Sequence, residues 1–104
     1  MSVMMGLRIA VDVAAFEQMV AENQETLKTV EARSKDMGAI HHRFYGNIDG
    51  SEVLVVDEWP DPESFVAFMQ ASPEIPEMFA RAGVTAEPQP VFWRELDAGD
   101  ASDQ

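Results

Sequence analysis

The chain has 104 residues, enough for one domain near the small end of what builds its own core. Its 46% hydrophobic and 25% charged content is that of an ordinary globular chain and argues against wholesale disorder. A formal net charge of -12 repels phosphate backbones and anionic lipid, so neither nucleic acid nor a membrane surface is expected as a partner. With no cysteine there is no disulfide framework, thiol nucleophile or thiolate metal site. The apolar opening MSVMMGLRIAVDV lacks a basic leader, and no stretch is long enough to span a bilayer. A soluble, cytoplasmic protein is expected.

Met5, Leu7, Ile9 and Val11 alternate at period two and predict a strand over 3–11, with Met4, Gly6, Arg8 and Ala10 on its other face. Asp12 stands where an N-cap belongs, and a helix is predicted from there to about Met37. Its stripe is Phe16, Met19/Val20, Asn23, Leu27, Val30, Ser34 and Met37, and Gly38 closes it. Residues 38–59 read as a hairpin. Asp61 and Pro62 then cap and open a helix whose inner face is Phe65, Phe68 and Met69. Ser72 and Pro73 interrupt it, and Ile75, Met78, Phe79 and Ala82 continue an apolar face up to Gly83. VTAEPQP is a loop, VFWREL a last strand, and DAGDASDQ a loose acidic tail. The expected organisation is one domain over 1–96 with a flexible tail over 97–104.

Strand, helix, strand, strand, helix, strand is the split-βαβ or ferredoxin-like pattern, an α+β fold with two helices over one face of a four-stranded antiparallel sheet. Such a sheet normally alternates apolar inward and polar outward. VLVV breaks that rule, since Val53 and Val55 point one way and Leu54 and Val56 the other. Phe92 and Trp93 do the same. A second copy of the chain is the simplest cover for the second face, which predicts a homodimer with sheets packed face to face.

Asp49-Gly50 in a two-residue type I′ turn would set Ile48 opposite Ser51. Counting back pairs Phe44 with Val55, His42 with Asp57 and Ile40 with Trp59. His41 then falls on the other face with Arg43, Tyr45 and Glu58, as an interface or rim residue. A slip of one residue would exchange the two faces. Because neighbouring strand residues diverge, His41 and His42 cannot chelate one ion, and no metal site is expected. His42 beside Asp57 is a candidate general base for a phenolic proton, or else a histidine simply hydrogen-bonded in a half-buried sheet. Trp59 can stack on a flat ring or donate its N–H to a substrate oxygen, or it caps the helix-sheet junction as a core residue. Asn23 interrupts an apolar stripe, and an unpartnered buried amide costs roughly 1–3 kcal/mol, so it needs a polar pocket or a backbone partner. Phe44, Phe65, Phe68, Met69 and Phe79 are core by default and candidate walls for an aromatic ligand.

With that order of elements, VLVVDEWPDPESFVAFMQ, PEIPEMFARAG and VFWREL together resemble the antibiotic biosynthesis monooxygenase group of the dimeric α/β-barrel superfamily, over about residues 3–96. The resemblance implies a pocket in each subunit between helices and sheet, and oxygenation without metal, flavin or other cofactor. The implied activity is a cofactor-independent monooxygenase oxidising an electron-rich aromatic, a hydroquinone or polyketide phenol. His42 would be the base with Asp57 assisting, and Trp59 and Asn23 would hold the ring and its oxygens. The superfamily also holds non-catalytic members and lactone isomerases, so a dimeric small-molecule-binding protein and an isomerase remain as alternatives. A helix-sheet space under about 300 Å³ would be too small for a typical ligand pocket and would favour the non-catalytic reading. Haem-degrading relatives use an axial His on the second helical segment and an Asn on the first strand, and PEIPEMFARAGV and MMGLRIAV supply neither. The quinone-forming relatives' matching Asn is likewise absent, leaving Asn23 or His42 to serve in its place.

Overall fold

The computed structural model describes residues 1–99. Eight elements follow in chain order. The first half holds β1 (Val3–Ala10), α1 (Val13–Glu22), α2 (Gln24–Asp36) and β2 (His41–Gly46). The second holds β3 (Glu52–Trp59), α3 (Pro62–Gln70), α4 (Glu74–Ala82) and β4 (Pro90–Trp93). The strands form one antiparallel sheet in the order β2-β3-β1-β4, and the helices cover one of its faces. This is the ferredoxin-like α+β fold that the order of elements predicts. Among the described residues no helix is long and apolar enough to cross a membrane. Residues 94–99 continue without regular structure, and the remainder of the expected tail, 100–104, lies outside the described residues.

The period-two reading of β1 holds: Met5, Leu7, Ile9 and Val11 are all buried. They meet Val53, Val55 and Trp59 of β3 and the inner faces of the helices, chiefly Phe16, Met19, Phe65, Phe68 and Met78. Burying a large apolar side chain contributes about 1.5–3 kcal/mol, so this layer is the main source of stability. Both carboxylate caps form, Asp12 accepting from the Ala15 N–H at 2.9 Å and Asp61 from the Ser64 N–H at 2.7 Å.

Three expectations are corrected. The single helix over 12–37 is two helices broken at Asn23, where φ/ψ reach -127/32. Asn23 Nδ2 donates to the Met19 carbonyl at 2.7 Å and Gln24 Nε2 to the Val20 carbonyl at 2.8 Å. Side-chain amides thus take the acceptors that the backbone N–H groups of the same residues would use in a continuous helix. The hairpin turn is not type I′, because among the described residues only glycines have positive φ. It is a four-residue loop: Asn47 N–H donates to Glu52 O at 2.9 Å, and Gly50 (φ 80) closes on Asn47 O at 3.1 Å. The pairing is unaffected, since both loops centre on Asp49-Gly50. The last strand is shorter than VFWREL and ends at Trp93.

Candidate functional site

The observed register pairs His42 with Asp57 and Phe44 with Val55, and it sets Met5 of β1 beside Asp57 on the other side. All of these side chains face the helices. His41, opposite Glu58, points to the other face and away from the site. Between sheet and helices lies a cavity of about 270 Å³. Its walls are mainly apolar. Phe16, Met19, Met69, Ile75, Met78 and Phe79 come from the helices, and Leu7 and Val55 from the sheet floor. Phe65 and Phe68 of α3 and Phe44 of β2 complete the aromatic part of the wall. Phe44 is edge-on to Phe16 at 5.3 Å and to His42 at 4.5 Å, so imidazole and aromatic wall form one ladder.

Asp57 is 6% exposed. Its two oxygens are both engaged: Oδ1 lies 2.5 Å from His42 Nδ1, and Oδ2 accepts from the Trp59 Nε1–H at 3.2 Å. The His42 side chain is 43% exposed and lines the cavity from β2. Among the described residues its Nε2 has no hydrogen-bond partner, which leaves that nitrogen open to a molecule in the cavity. Such an imidazole can accept a proton at Nε2 while a carboxylate steadies the cation at Nδ1.

Two candidates lie outside the cavity. Trp59 is fully buried behind Asp57, against Phe65 and Phe68, and is not a lining residue. Asn23 is not a lining residue either: beyond its bond to Met19, its Oδ1 accepts from Arg81 Nη1 at 2.7 Å. Its amide is therefore satisfied within the protein: the Met19 carbonyl is the expected backbone partner, and Arg81 in addition pins the α1–α2 joint to α4. The roof carries groups that sequence reasoning passed over. Gln24, Lys28, Glu31 and Ser34 of α2 line the cavity beside Leu27 and Val30. Their three-four spacing is visible in the sequence, but polar residues at that spacing read as a solvated face, and only Ser34 entered the stripe.

The roof is fastened at its far end. Arg33 of α2 grips both Glu74 oxygens at 2.8 Å and reaches the buried Ser72 hydroxyl at 3.0 Å. The guanidinium's hydrogen bonds hold the Glu74 carboxyl down to about 2 from an ordinary 4.5, helped by a backbone N–H and opposed by partial burial.

No family model and no curated protein matches the chain. Solved structures do. A monooxygenase from the gene ActVA-Orf6 of Streptomyces coelicolor, in complex with nanaomycin D, is 18% identical with a TM-score of 0.69, over 97% of this chain and 93% of that one. A dimeric ferredoxin-like protein from an uncultured marine organism is 11% identical with a TM-score of 0.69, over 97% and 93% of the two chains. SnoaB, a cofactor-independent oxygenase from Streptomyces nogalater, is 16% identical with a TM-score of 0.63, over 93% and 95%. At these identities the likeness establishes the fold. Antibiotic biosynthesis monooxygenases are thus among the chain's structural neighbours, in keeping with the resemblance read from its sequence.

Proposed function

We propose that the chain is a cofactor-independent oxygenase acting on a small electron-rich phenol or hydroquinone, with His42 as general base and Asp57 as its partner. One observation carries the reading: the His42–Asp57 pair, 2.5 Å apart, at the edge of an apolar cavity into which Nε2 is free to reach. The fold shared with an oxygenase that needs no cofactor, and with a monooxygenase that holds nanaomycin D, supports it. The volume, just under the roughly 300–1,000 Å³ of drug-sized pockets, favours one or two fused rings over a larger polyketide.

Nε2 of His42 takes the proton of a ring hydroxyl, and Asp57 stabilises the imidazolium. The anion passes one electron to dioxygen. The radical and superoxide combine at a ring carbon bearing hydrogen, and the imidazolium returns its proton to the outer oxygen as a hydroperoxide. Loss of that carbon's hydrogen as a proton breaks the O–O bond, leaving a carbonyl on the ring and one water. One oxygen atom enters the product, the other leaves as water, and the substrate supplies all the electrons. Phe44, Phe65, Phe68, Met69 and Phe79 wall the ring and limit water near the intermediate. The active form is a homodimer, its outer sheet faces packed together.

A second reading, a binding protein of the same fold without catalysis, is favoured by the volume alone. Oxygen-electrode measurements on a panel of small hydroquinones and naphthols separate the two. Dioxygen consumed mole for mole with quinone formed, and lowered about 10²–10⁴-fold in His42→Ala, is expected. If no compound supports uptake although several bind in titrations, the binding-protein reading replaces the enzyme.

A further inference from the structure

The Trp59 indole is locked. It has no exposed surface, and the rings of Phe65 and Phe68 lie 5.9 and 5.3 Å from it, so it has no room to turn. Its Nε1–H has Asp57 Oδ2 as acceptor at 3.2 Å. An indole N–H donates only, so whatever atom of residue 57 faces it must be an acceptor. Asp57 is buried, and among the described residues His42 is the one charged side chain hydrogen-bonded to its carboxylate. We propose that Trp59 is a positioning residue: it fixes the Asp57 carboxylate so that the remaining oxygen selects the Nδ1–H tautomer of His42 and leaves the Nε2 lone pair facing the cavity. This deepens the reading of His42 as the base and rests on it for its functional meaning. The tautomer itself can be read without any substrate.

A consequence follows that a mere core tryptophan does not have. In Asp57→Asn the amide has one acceptor and one donor end. Trp59 claims the oxygen, so the NH2 group turns to His42 Nδ1, which must then accept, and the proton moves to Nε2. The base is lost through the wrong tautomer although the ring stays in place. Removing the indole donor as well frees the amide to turn, and the Nδ1–H form returns at least in part. Other charges near His42 do not impose this choice. Lys28 and Glu31 face it from α2 across the cavity, Arg43 bonds the His42 carbonyl rather than its ring, and the wall residues of α1, α3 and α4 are uncharged.

The test is 15N NMR of the neutral imidazoles in the whole chain, with His41→Ala as background so that His42 is the sole histidine. The expected result is Nδ1–H in the parent, Nε2–H with Asp57→Asn, and a return toward Nδ1–H with Asp57→Asn/Trp59→Phe. If the phenylalanine variant does not fold, replacing the tryptophans with benzothienylalanine removes the donor at nearly constant shape. Asp57→Asn keeping Nδ1–H, or the double change leaving Nε2–H untouched, overturns the proposal. Trp59→Phe with Asp57 intact should keep Nδ1–H, because an ionised carboxylate can only accept from Nδ1; the pattern in the asparagine background is what separates positioning from core packing. With a substrate in hand, the double variant should recover kcat over Asp57→Asn at similar KM. If the tautomers obey the pattern while His42→Ala retains full turnover, the positioning role stands and the base assignment falls.

Discussion

His42 and His41 are adjacent in sequence and opposite in space, because successive strand residues face opposite sides. A matched pair of variants therefore tests the register as chemistry. His42→Ala should lower turnover about 10²–10⁴-fold, the usual weight of a general base, while the protein stays folded. His41→Ala, on the face away from the cavity, should leave turnover nearly intact. Steady-state rates on one hydroquinone decide it. A silent His41→Ala beside an active His42→Ala would move the base to the other face.

At the scale of elements, the start of α1 is fitted tightly against the end of β2. A methyl built on Gly46 would lie 2.8 Å from Val13 Cγ1 and 3.2 Å from Cγ2. Valine is stiff at χ1 and cannot swing aside, so overpacking is the outcome. Gly46→Ala should cost about 1–3 kcal/mol in urea unfolding, and Val13→Ala in the same chain should recover part of that. Equal midpoints for Gly46→Ala and parent would contradict the fit. The Arg33–Glu74 clasp acts at the same scale through pH. Its carboxyl is held below the ordinary value, so the folded state binds this proton more weakly than the unfolded state. The clasp's contribution is then complete above about 4.5 and is lost as pH falls toward about 2. Melting temperatures from pH 6 to pH 2 should fall less steeply in Glu74→Gln than in the parent. Parallel curves would show that the clasp does not contribute.

For the whole molecule the telling surface is the outer face of the sheet. Met4, Tyr45, Leu54, Val91 and Trp93 are 37–60% exposed there, and Gly6 lets the Trp93 indole lie close across β1. A patch of this kind on a small chain with net charge -12 calls for a partner surface, and a second copy presents the same apolar face. Multi-angle light scattering should give a dimer for the parent and a monomer for Leu54→Arg, with the melting temperature falling as protein is diluted. A parent chain monomeric at high concentration would remove the dimer.

The fold was legible in the sequence because its signals are local: the period of two in β1, the Asp12 and Asp61 caps, and Gly38 and Gly83 after α2 and α4. Even the hairpin register could be counted, since any symmetric loop around Asp49-Gly50 gives the same pairs. The partners of polar groups were not legible, because they come from distant parts of the chain. For Asn23 the sequence left a polar pocket and a backbone partner open; the Met19 carbonyl is that partner, but nothing in the sequence pointed to Arg81, 58 positions later, as the donor to its oxygen. The sequence left Trp59 open between stacking on a ring and capping the helix-sheet junction as a core residue; packing made it the core residue, with only its N–H bearing on the site. Gln24, Lys28 and Glu31 of α2 carry no lining signal in the sequence, yet the break at Asn23 and the Arg33–Glu74 clasp set them over the cavity as a roof. Periodicity decides which face of an element is apolar. Which polar atoms meet across that face is decided by the packing of whole elements, and sequence spacing carries no record of it.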